Sequence, residues 1–180
     1  RHATPPRRDN KHPVFNAADD HMMKLARTIR LDESDDNVFH QAASAGEWAI
    51  SGGFAFSNFS EDDLKGKTRQ EFANGWLSLD SFGRATFAAV TSITEAELNQ
   101  LIDRLAEHFV SHYGAPDLEA ARPVATEELE QMRTMCEDHE DNTIMMISRS
   151  LTETGVHESY RFSTPQGASL DAFAVHGSVD

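Results

Sequence analysis

Residues 94–114 read TEAELNQLIDRLAEHFVSHYG, and this stretch decides the fold. Thr94 and Glu97 form a capping box: the Thr94 hydroxyl accepts from the amide of Glu97, and the Glu97 carboxylate reaches back to the amide of Thr94. Ile93 and Leu98 flank the cap as a hydrophobic staple. Leu98, Leu101, Ile102, Leu105, Phe109 and Tyr113 then recur at helical spacing, which predicts one buried stripe. Gly114, ahead of Ala115 and Pro116, ends the helix.

On the C-terminal side, a loop through Pro123 leads to Thr126, read as a second N-cap. Glu127 and Glu128 follow at the positive end of the helix dipole. Leu129, Met132 and Cys136 form the buried side of this second helix. NTIMMISRSL (142–151) predicts a strand, TETG (152–155) a turn, and VHESYRFS (156–163) another strand. Alternation in the last strand puts Val156, Tyr160 and Phe162 on one face, with His157, Ser159 and Arg161 on the other.

On the N-terminal side, MKLARTIRL (23–31) predicts a first strand, and DESDDN (32–37) an acidic loop. VFHQAASAGEWAISGGFAFSNF (38–59) reads either as one strand with a bulge at Gly52-Gly53 or as two short strands around a glycine turn. QEFANGWLSL (70–79), DSFG (80–83) and RATFAAVTSI (84–93) predict a central hairpin, with Gly83 supplying a positive φ. The order β-β-β-β-α-α-β-β places the chain in the α+β class: an antiparallel sheet of five or six strands with two helices packed on one face. Residues 1–21 hold three prolines, both charge signs and little to bury, which predicts a disordered tail or a non-native extension. A single domain is expected over 22–164, with an irregular tail over 165–180.

The charge balance excludes several function classes. There are 16 basic and 30 acidic residues, a net charge of −14. No Lys/Arg cluster lies outside PRRDNK (6–11), so neither nucleic acid nor an anionic membrane is an expected partner. No apolar run reaches the length of a membrane-spanning helix. The lone cysteine, Cys136, permits no internal disulfide and suits a cytoplasmic setting.

Candidate chemistry is sparse. His108 and His112 stand at i, i+4 on the first helix, a spacing that chelates zinc-like metals, but the glutamate of H-E-x-x-H is missing. Cys136 and His139 are neighbours on the second helix. The helical count moves Cys136 into the core, and an antiparallel helix pair separates it from the two histidines. The acidic run around His139 lacks the glycine of a calcium loop. The sequence contains no nucleophile elbow, Walker loop or dinucleotide fingerprint. The strands carry aromatic residues together with Trp76, Arg84, Arg149, His157 and Arg161, a set suited to an anionic ligand in an aromatic cleft.

The run GWLSLDSFGRATFAAVTSITEAELNQLIDRLAEHFVSHYGAP (75–116) resembles an uncharacterised alphaproteobacterial family known as a domain of unknown function. The resemblance covers most of residues 23–163. It implies an accessory or maturation role alongside molybdenum- or tungsten-enzyme and iron–sulfur genes, and it implies no catalytic residues. The expectation is therefore a non-catalytic, cytoplasmic accessory protein that binds a partner protein, with no cofactor of its own; a homo-oligomer is compatible with it. The rival is an anionic-ligand binder or enzyme using the arginine-bearing sheet. A third reading is metal binding through His108 and His112.

Overall fold

The computed structural model describes residues 23–165. The expectations for 1–21 and for nearly all of 165–180 fall outside these residues. One antiparallel sheet organises the rest. Its strands are β1 (Met23–Ile29), β2 (Trp48–Ile50), β3 (Trp76–Ser78), β4 (Arg84–Ala85), β5 (Phe87–Ile93), β6 (Ile144–Thr152) and β7 (Gly155–Ser163), in the spatial order β4-β3-β2-β1-β5-β6-β7. Four helices accompany it: α1 (Ser34–Val38), α2 (Gly66–Asn74), α3 (Glu95–His112) and α4 (Leu118–Glu137).

The α+β class and the antiparallel sheet are as the sequence predicts. The counts differ, because seven strands replace five or six and four helices replace two. The physical reasons are local. RATFAAVTSI splits at Thr86: β4 pairs with β3, while β5 pairs with β1 and β6. QEFAN is helical, not extended. It is built from good helix formers, only Phe72 of α2 is buried, and Gly75 stops it before Trp76. The SGGF segment is neither a bulge nor a strand pair; β2 ends at Ile50, and residues 53–56 form a 3₁₀ turn. The acidic loop contains α1, whose Asp35 is buried against Thr86.

The split at Thr86 reveals the shape of the sheet. β4 and β5 are separated by one residue, yet they hold the first and fifth places in the sheet. In a flat sheet four steps would span roughly 19 Å, whereas two consecutive virtual bonds reach at most about 7.6 Å. The sheet must therefore curl. The buried Asp35 carboxylate fixes the corner, accepting from the Thr86 hydroxyl at 2.6 Å and from its amide at 3.3 Å.

Helix α3 forms as its capping box requires: the Glu97 amide donates to Thr94 Oγ1 at 3.1 Å, and the Thr94 amide donates to Glu97 Oε1 at 3.1 Å. Its stripe from Leu98 to Phe109 is buried, but Tyr113 lies past the helix end and is 48% exposed. Thr94→Ala should lower unfolding free energy by about 1 kcal/mol, seen as a lower urea midpoint with an unchanged slope.

Helix α4 starts well ahead of the cap predicted at Thr126. Asp117 caps it, accepting from the Ala120 amide at 2.8 Å, and the helix continues through Pro123. Thr126 does not cap; its hydroxyl back-bonds to the Arg122 carbonyl at 2.8 Å. α3 and α4 pack on each other, and α4 also packs against β1 and β2. Strand register puts Ala26, Ala49, Ala88, Val90 and Met145 on one face. Cys136 of α4 touches Met145 at 3.8 Å, which identifies this as the face that α4 covers. Small side chains there let the helix approach closely.

Candidate functional site

The curl brings residues from the two ends of the sheet into contact. Trp76 on β3 donates its indole N–H to the Met145 carbonyl on β6 at 3.2 Å and stacks on Tyr160 of β7 at 6.0 Å. Asn74 donates to the Ile147 carbonyl at 3.2 Å. The seam so formed is closed by two buried arginines. Arg149 donates to the Phe72 and Gly75 carbonyls at 2.9 and 3.0 Å, and to the Ser51 carbonyl. Arg84 donates to the Gly75 and Gly52 carbonyls, both at 3.2 Å. The Phe56 ring lies beneath both guanidinium groups, at 4.8 and 5.4 Å. Two cations this close are tolerated because backbone carbonyls and a carboxylate face them. Burial, reinforced by Arg149, pushes the Arg84 guanidinium down to about 9, so it stays cationic at neutral pH.

That carboxylate is Glu158. Its Oε2 accepts from Arg149 Nε at 2.7 Å and from the Ser51 hydroxyl at 2.6 Å; its Oε1 accepts from the Tyr160 hydroxyl at 2.5 Å. Burial alone would raise its pKa, but Arg149 and the two hydroxyls overcome burial and hold it below the usual carboxylate range. The Tyr160 phenol is pushed up, first by burial and then by Glu158. Since Glu158 titrates lower in the folded than in the unfolded chain, its contribution is intact above the unfolded value of 4.5 and is lost as pH falls through the folded value. Stability should therefore fall on the acid side of pH 4.5, and Glu158→Gln should flatten that slope in acid-titrated urea melts.

Beside the seam lies a hollow of about 290 Å³ lined by Ser51, Gly53, Phe54, Glu128, Gln131, Val156 and Glu158. Glu128 comes from α4. Its acid is pushed up, first by burial and then by Glu158 and Glu127. Gly53 is needed here, because a Cβ on it would stand 2.5 Å from Glu158 Oε2.

The residues expected to hold an anion are thus dispersed or already engaged. Trp76, Arg84 and Arg149 are buried, and the two guanidinium groups are satisfied by backbone and Glu158. His157 is exposed, 3.4 Å from the Thr154 hydroxyl, and Arg161 is half-buried opposite Met146. His108 and His112 do adjoin, but as stacked rings 4.5 Å apart, with Phe82 stacked on His108 at 3.7 Å. Burial and then His112 lower the pKa of His108. Among the described residues, no group of three or more His, Cys, Asp or Glu side chains is placed to hold a metal. Cys136 is buried and its thiol is pushed up to about 12, while His139 stacks on Phe162 at 3.9 Å. Ser51, Glu128 and Glu158 are the residues that sequence reasoning missed. Glu158 left a signal, since it falls on the apolar parity of its strand, between Val156 and Tyr160.

No curated protein and no solved structure matches this chain. A family model described as a family of unknown function (DUF6505) matches residues 23–180, which takes in the sheet, both long helices and the seam. The chain belongs to that family.

Proposed function

We propose that this protein is a non-catalytic cytoplasmic accessory protein that binds a basic partner protein. The observation that carries this reading is where the charge goes. The chain has 16 basic against 30 acidic residues, and two of the basic ones, Arg84 and Arg149, are withdrawn into the seam. Asp35 is buried too and Glu158 pairs with Arg149, so the excess of carboxylates stays on the outside, a field that attracts and orients a cationic protein. A second hollow, about 400 Å³ beside Trp48, is rimmed by Asp80, Glu97, Asp103 and Glu107 against one cation, Arg104, with Asp103 paired to Arg122, and keeps a negative balance. Among the described residues, no helix is long and apolar enough to cross a membrane. A redox metalloenzyme under assembly is the partner class that the family resemblance favours.

The rival reading, an anionic ligand on the sheet, has less support because the two central guanidinium groups already face protein acceptors. The test is retention. The tagged chain, immobilised, should capture a basic protein from an extract of its natural host and release it as salt shortens the Debye length from about 10 Å to about 3 Å. Retention of acidic proteins only, or binding indifferent to salt, would sink the reading.

A further inference from the structure

The hollow between α4 and β7 has the composition of a site for one cationic side chain. At about 290 Å³ it sits at the lower edge of the roughly 300–1,000 Å³ range typical of small-molecule sites, so it suits a side chain better than a cofactor. Phe54 and Val156 give it an apolar wall. Phe54 is held edge-on between Phe109 at 4.9 Å and Tyr113 at 5.3 Å, which keeps that wall in place. The polar groups are unequal. Both Glu158 oxygens are already taken by Arg149, Ser51 and Tyr160. The Glu128 carboxylate, half-buried, makes no side-chain hydrogen bond or ion pair among the described residues. Gln131, one turn further along α4, adds an amide.

We propose that this hollow receives an alkylammonium group, supplied by a lysine side chain of the partner protein. The assignment rests on the partner-binding reading above. The apolar wall takes the methylene stem, and Glu128 takes the ammonium, with the Gln131 carbonyl as a second acceptor. Other ligand classes fit less well. Glu158 is already balanced by Arg149, and the Glu128 carboxylate disfavours an anion. A divalent cation needs more ligands than this hollow offers, since no group of three metal-ligating side chains occurs among the described residues. Burial and then Glu158 disfavour the charge on Glu128, and an ammonium seated in the hollow would favour it.

The probe is n-butylammonium chloride, titrated into the ¹⁵N-labelled full chain at constant ionic strength, with n-butanol as the uncharged control. Saturable amide shifts at Ser51, Gly53, Phe54 and Gln131 are expected from the amine alone. Glu128→Gln should weaken binding at least tenfold while keeping the circular dichroism spectrum. Shifts that follow salt, or a Glu128→Gln titration equal to wild type, would overturn the site. A lysine-containing peptide should shift the same amides, and its Nε-acetyl form should not. If butylammonium binds and the peptide does not, the partner-lysine assignment fails and a free amine is the ligand. The partner reading fails separately: a wild-type chain that captures no basic protein, yet still binds the amine, would refute that reading and leave the ammonium site standing.

Discussion

Arg149→Met should lower the unfolding free energy by about 3–5 kcal/mol, the effect expected when one member of a buried ion pair is removed. The Arg149 side chain has no exposed surface, against 21% for Glu158. Methionine fills much of the volume but donates nothing. It would leave Glu158 without its cation, and the Phe72, Gly75 and Ser51 carbonyls without this donor. Those carbonyls belong to the end of α2, to the residue before β3 and to the residue after β2, so one side chain ties three pieces of backbone to β6. Arg149→Lys should recover only a small part of the loss, because an ammonium cannot fork between Glu158 on one side and three carbonyls on the other. Urea denaturation of the three proteins at pH 7 decides it. A methionine variant within about 1 kcal/mol of wild type would mean that the seam is held by its apolar contacts and not by the arginine.

What could be read from the sequence, and what could not, follows from the range of each signal. The α3 cap and stripe are local: Thr94, Glu97 and the apolar spacing act within one helix, and the structure keeps them. The start of α4 was missed because Pro123 and Thr126 look like a boundary, while Asp117 is an equally good cap and its turn is already formed when the chain reaches the proline. The positive φ in the hairpin belongs to Phe82, at 58°, and not to Gly83. The Phe82 ring in that conformation stacks on His108. Gly83 is required for space instead, since a Cβ would lie 2.8 Å from the Ala43 amide nitrogen. The seam was hardest to foresee, because curling of the sheet is a non-local property. One part of it was legible. The Thr152–Gly155 turn fixes the β6–β7 register, and that register sets Arg149 opposite Glu158. Each is a charge on the apolar parity of its strand, and opposite charges facing each other at inward positions form an ion pair. The partners on β2 and α2 could not be found this way.

Curling also explains why Arg84 and Arg149 face protein acceptors instead of an open cleft. On a flat sheet, Arg84 and Arg149 would stand in separate places with their guanidinium groups free. With β3 brought against β6, both meet the carbonyls where α2 ends and β3 begins, and Gly75 accepts from each of them. Their positive charge then satisfies backbone that would otherwise be buried without partners. The hollow left beside them is lined by Glu128 and Glu158, side chains opposite in sign to the arginines.

Gly52→Ala tests the other half of the seam, the close approach of backbone to the arginines, and should destabilise the fold by roughly 3 kcal/mol or more. Two independent effects add. Gly52 has φ of 72°, in the left-handed region, where alanine is strained by roughly 1 kcal/mol or more. A Cβ there would also lie 2.4 Å from Leu77 Cβ and 2.8 Å from Arg84 Nη1. Neither neighbour can yield easily: Leu77 is buried on β3, and Arg84 is fixed by its bond to the Gly52 carbonyl itself. Relief requires β2 to move away from β3 or Arg84 to leave Gly75, and either opens the seam. Gly46→Ala is the matched control. Its φ of 83° carries the same backbone penalty, but nothing lies within 4 Å of the added methyl. The control should lose only the conformational part, so the difference between the two urea midpoints measures the steric part. Equal losses in the two variants would show that the seam can relax around the methyl, and that the arginines do not lock it.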